Sequence, residues 1–185
     1  MTVWRVNPDE ANPQQGRVVG PLFDEPCALG KHGLVADVDG REGDGKTPTG
    51  TYPFRRVFYR PDREEEPICC LPTSPSSPSP GWCDAPDSPH YNQLVRLPIG
   101  DSYEALWRDD ALYDLVLVIG HNDEPVMPKC GSCIFVHVAR EGFTPTLGCV
   151  ALEAQALSSE QLAFEVDRLA AEIIDKMPSD LWNDE

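Results

Sequence analysis

His137 and Cys149 stand twelve residues apart, and a thiol becomes a nucleophile when a neighbouring base takes its proton or its surroundings lower its pKa. These two residue types can carry acyl transfer. Gly148 precedes the thiol and has no Cβ to block a substrate carbonyl, and the amides of Gly148 and Cys149 can face the oxyanion that forms on attack. The pair alone is a modest signal, because a small buried Cys and a satisfied core His are commoner. A second chemistry draws on the same atoms. Cys130 and Cys133 form a C-x2-C pair that, with His137 and Cys149, would make a Cys3His zinc set. That set has no second closely spaced pair to complete it.

The elements that must hold these residues read as strands. Glycine and proline punctuate the chain densely and the apolar runs between them are short. Strands are expected at Arg17 to Val19, Cys27 to Leu29, Gly50 to Tyr59, Gln93 to Leu97, Leu115 to Ile119 and Cys133 to Val138. Leu115 to Ile119 is apolar on both parities, which predicts a central strand covered on both faces. From Cys133 to Val138 the period of two turns Cys133, Phe135 and His137 one way and Ile134, Val136 and Val138 the other. Two helices are expected. Ser102 can cap a short one through Arg108, and Ser158 with Gln161 forms a capping box for a longer one. That helix carries an apolar stripe of Leu162, Val166, Leu169, Ile173 and Met177 and stops at Pro178.

The organisation expected is a single mainly β domain over 16–157, with an extension at 1–15 and the C-terminal amphipathic helix at 158–177 packed on it. An acidic and proline-rich insertion, 64–89, reads as an extended loop outside any ladder. The 185 residues carry 15 basic and 31 acidic side chains, a net charge of −16, which makes a basic nucleic-acid-binding face a poor expectation. No apolar run approaches 18 residues, so no spanning helix is expected. The start of the chain lacks a basic and then apolar leader, which reads as cytoplasmic and, with seven cysteines, favours reduced thiols over a disulfide framework.

Several ordered motifs go beyond the pair. Thr146 to Val150 (TLGCV) after a strand-borne His137 resembles the signature of the L,D-transpeptidase catalytic domain of the YkuD type. Asp44 to Phe54 (DGKTPTGTYPF) resembles that family's turn into a strand, with Gly30 to Leu34 leading in. Gly81 to Asp84 (GWCD), Tyr91 and Asn92, Leu106 to Arg108, and Gly120 to Asp123 (GHND) resemble one branch of it. The resemblance implies a β-sandwich-like fold, Cys149 as nucleophile, His137 as base and no cofactor or metal. It implies peptidoglycan stem peptides as donor and acceptor, a thioester at the L-centre of a diamino acid, and a place in the cell envelope. Thr146, His121, Asn122, Tyr91 and Trp82 become substrate-side candidates. Two positions depart from the pattern, Leu147 where most members have a second His and Ala151 where many have Arg or Asn. They motivate an alternative, a catalytically impaired peptide-binding module of the same fold.

Overall fold

A computed structural model describes residues 3–21 and 23–157, and the backbone of 170–173. Its strands are β1 (Val3–Pro8), β2 (Gln15–Val19), β3 (Asp24–Ala28), β4 (Leu34–Ala36), β5 (Thr47–Tyr59), β6 (Thr73–Pro75) and β7 (Pro80–Cys83). They continue with β8 (Leu94–Arg96), β9 (Tyr103–Ala105), β10 (Leu115–Ile119), β11 (Phe135–Val138), β12 (Val150–Leu152) and β13 (Ala170–Ile173). The protein is mainly β, and the helices among the described residues are short 3-10 turns. None is long and apolar enough to cross a membrane.

The main sheet curls into a ring. Its order β10-β11-β12-β3-β2-β1-β13-β5 is closed by a direct β5 to β10 pairing, which leaves no free edge around the ring. The expected two-sided burial of Leu115–Ile119 is what β10 shows, with all five residues buried. Leu115, Leu117 and Ile119 point into one core with Trp4, Phe54, Val136 and Val138. Val116 and Val118 face a second core with Phe135, Tyr113, Cys133 and Cys149. A small sheet, β8-β7-β9, lies against this outer face, and Trp82 of β7 meets Phe135 edge-on at 5.3 Å. The alternation expected in β11 holds, since its two faces go to the two cores.

Three expectations are corrected. Tyr103–Ala105 is strand β9 rather than the start of a helix, because Trp82 pairs with Glu104 across the small sheet and a six-residue helix is too short to resist such pairing. The 64–89 stretch does enter ladders. β6 runs parallel to β5, with the Pro72 carbonyl accepting from Val57 N at 2.9 Å and Ser76 N donating to Tyr59 O at 2.7 Å. Proline lacks a donor but keeps its carbonyl, so a short strand flanked and ended by proline can serve a sheet from its margin. β7 also begins within this stretch. The expected helix at 158–177 lies outside the described residues except for Ala170–Ile173, which form β13 between β1 and β5. Two neighbouring strand edges supply there the backbone partners a helix would supply itself.

Candidate active site

A tight turn carries the thiol. Thr146 Oγ1 donates to Cys149 O at 2.7 Å and accepts from Gly148 N at 3.1 Å. Thr146 is itself held to the Leu29–Lys31 backbone by bonds of 2.8 Å at both its amide and its carbonyl. Gly148 sits at φ +141°, and a Cβ there would lie 2.8 Å from Lys46 O and 2.9 Å from Ile134 Cδ1. The position requires glycine. β12 then leaves the turn parallel to β11, pairing Val136 with Val150 and His137 with Ala151. Cys149 is thereby level with Phe135, whose amide donates to Sγ at 3.4 Å, and Sγ donates to Cys133 O at 3.2 Å.

His137 is fixed in orientation. A carbonyl can only accept, so the 2.8 Å contact of Nδ1 with Val138 O puts the proton on Nδ1 and leaves Nε2 with its lone pair. The Tyr113 ring packs edge-on against the imidazole at 5.2 Å. Burial drives the His137 pKa down to about 4 and the Cys149 pKa up to about 12. At rest the two are therefore a neutral imidazole and a neutral thiol, not an ion pair.

Both residues line one cavity of about 450 Å³ between the ring and the small sheet. Thr146, Leu147 and Ala151 line it too, and so does His121. Leu147 is 74% exposed, so the position at which the resemblance leads one to expect a second His lies at the rim. Ala151 is buried beside His137. Sequence reasoning missed two lining residues, Glu104 and Tyr113. The Tyr113 hydroxyl donates to the Glu104 carboxylate, and burial raises the pKa of that carboxyl. Neither has a sequence signal, because each reaches the cavity only through the pairing of β9 with β7 and the turn into β10.

The other expected substrate-side residues, Trp82, Tyr91 and Asn122, do not line that cavity and instead brace residues around it. Trp82 Nε1 donates to Asn92 Oδ1 at 3.0 Å, and the same oxygen accepts from Cys133 N at 3.2 Å. Trp82 thus braces the strand that faces the thiol. Tyr91 donates its hydroxyl to Glu42, which also accepts from Ser132 Oγ at 2.7 Å. Asn122, at φ +47°, ties Met127 and Gly131 together through its side chain. All seven cysteines are free thiols. Among the described residues no group of three or more His, Cys, Asp or Glu side chains could hold a metal ion. The expected Cys3His set of Cys130, Cys133, His137 and Cys149 is accordingly not brought together.

The YkuD family, described as the L,D-transpeptidase catalytic domain, matches residues 12–159. No curated protein and no solved structure matches the chain. The match takes in the second core, all of the first but Trp4 and Val6, the turn at Thr146–Cys149 and the strand that carries His137, and on that extent the chain belongs to the L,D-transpeptidase catalytic domain family.

Proposed function

We propose that the protein is a cysteine acyl transferase that acts on peptidoglycan stem peptides, with Cys149 as nucleophile and His137 as base. The observation that supports this is the single cavity lined by both the thiol and an imidazole of fixed tautomer. Because both groups are neutral at rest, the thiol proton moves to His137 Nε2 as Sγ attacks the carbonyl at the L-centre of the donor. The C–S bond forms, the tetrahedral intermediate collapses, and His137 returns the proton to the departing amine of the D-residue. An amine of a second stem, or water, then resolves the thioester. The Gly148 amide is committed to Thr146 Oγ1, so the developing oxyanion falls to the amide of Cys149, and Gly148 serves by shape.

Burial of the thiol also suits a peptide-binding module that has lost turnover. Incubation with a carbapenem followed by intact mass separates the two. Acyl transfer predicts a single covalent adduct that Cys149→Ala abolishes. Stem-peptide binding without any adduct would favour the binding module.

A further inference from the structure

His121 lines the same cavity as Cys149 and is only 4% exposed, yet acylation by Cys149 and His137 gives it no task. Its Nε2 lies 3.2 Å from Asp37 Oδ1, and that oxygen also accepts from the Tyr52 hydroxyl at 2.9 Å. A carboxylate beside Nε2 holds the proton there, so Nδ1 presents a lone pair. Nδ1 is buried and has no hydrogen-bond partner among the described residues. Such an acceptor costs stability wherever it is kept, which points to a partner that arrives with the substrate.

Its position relative to the thiol follows from register. β11 pairs Phe135 with Val118 and His137 with Val116 on β10, and Cys149 Sγ sits at the Phe135 level. His137 is two residues to one side of that level, and His121 continues the chain three residues past Val118 on the other. Asn92 spans the gap on this second side. Its Nδ2 donates to His121 O at 3.0 Å, its Oδ1 accepts from Cys133 N at 3.2 Å, and the Cys133 carbonyl accepts from Cys149 Sγ at 3.2 Å.

We infer that His121 is a second catalytic base, which takes the proton of the acceptor nitrogen as that nitrogen attacks the thioester. The inference rests on the acyl transfer proposed above and divides its two halves between two histidines. The acceptor amine adds to the thioester carbonyl, the C–N bond forms, and an N–H proton passes to Nδ1 of His121. The tetrahedral intermediate collapses, the C–S bond breaks, and its electron pair leaves on Cys149 Sγ, which is reprotonated from solvent. His121 returns its own proton to solvent. The Asp37 carboxylate faces the imidazolium formed in between, and burial keeps the resting ring neutral.

The test separates the halves. A stem tetrapeptide with a diamino acid at its third position is used as donor and glycinamide as acceptor amine, and intact mass follows the thioester. For His121→Gln the thioester should form within about threefold of the parental rate while aminolysis slows about 100-fold, the size of a general-base contribution, so that acyl enzyme accumulates. His121→Ala should behave alike, and added imidazole should restore part of its aminolysis, which a purely structural role would not allow. Aminolysis at the parental rate in His121→Gln overturns the inference. So does an equal loss of acylation and aminolysis without rescue by imidazole. If the parent forms no thioester, it is the proposed acyl transfer that fails, and the two failures are thereby distinct.

Discussion

At the scale of single residues, burial changes how the thiols rank. Sequence context singles out Cys149 as the most reactive of seven, because it alone has a preceding glycine and a candidate base. The folded thiol is only 8% exposed, and burial pushes its pKa up to about 12. Cys70 is exposed. With a small electrophile that binds nowhere, such as iodoacetamide, peptide mapping should find Cys70 labelled ahead of Cys149. A carbapenem should reverse the order, since it fills the cavity and meets His137. Within that reaction His137→Ala should slow acylation by about two to four orders of magnitude, read as the rate of adduct formation with circular dichroism as the control for folding. Gly148→Ala should cost about 1–3 kcal/mol from its backbone conformation alone. Its Cβ would press on Lys46 O and Ile134, so the carbapenem adduct should fall with it. The pair at 137 and 149 was legible because its chemistry follows from residue type. Glu104 and Tyr113 were not, because nothing local to either residue says that it faces a thiol distant in sequence.

At the scale of elements, the strand that carries His137 and the strand it pairs with were also the clearest in sequence. β10 and β11 owe their form to an apolar run and a clean alternation. β10 spans the residues read, while β11 starts at Phe135 rather than Cys133, whose φ of +55° lies outside the strand region. The misread elements are those decided by distant partners. Tyr103–Ala105 takes its form from β7, and Thr73–Pro75 from β5. This changes what the proline-rich stretch contributes. Cys69 and Leu71 pack against the main core and β6 is laddered to β5. Deleting 66–80 should therefore cost about 2 kcal/mol or more, on the scale of one buried apolar side chain, rather than the small penalty of shortening a free loop. The midpoint of urea unfolding measures it. Phe135→Ala should cost about 3–5 kcal/mol, because this ring fills the second core and meets both Trp82 and Tyr113.

At the scale of the whole molecule, ring closure and protonation set stability. The family match ends at residue 159, yet β13 at 170–173 stands between β1 and β5. A truncation after 159 should leave those two strands with unpaired edges and lower the melting temperature, as differential scanning calorimetry would show. His137 couples folding to acid. Its pKa falls from 6.5 to about 4 on folding, so the unfolded chain binds the proton more readily. That contribution, about 3 kcal/mol at most, is fully present above pH 6.5 and is lost as pH falls from there toward 4. His137→Gln should flatten the decline in unfolding free energy between those two pH values.

The neutral resting state of the thiol bears on how the protein survives oxidants. Peroxide attacks thiolates, and burial holds the Cys149 thiol strongly in its neutral form at neutral pH. Cys149 therefore waits in a form that oxidants scarcely touch, and in the mechanism proposed above it becomes nucleophilic only as His137 takes its proton during attack on a substrate carbonyl. The burial that slows the thiol would, in that mechanism, preserve it between turnovers.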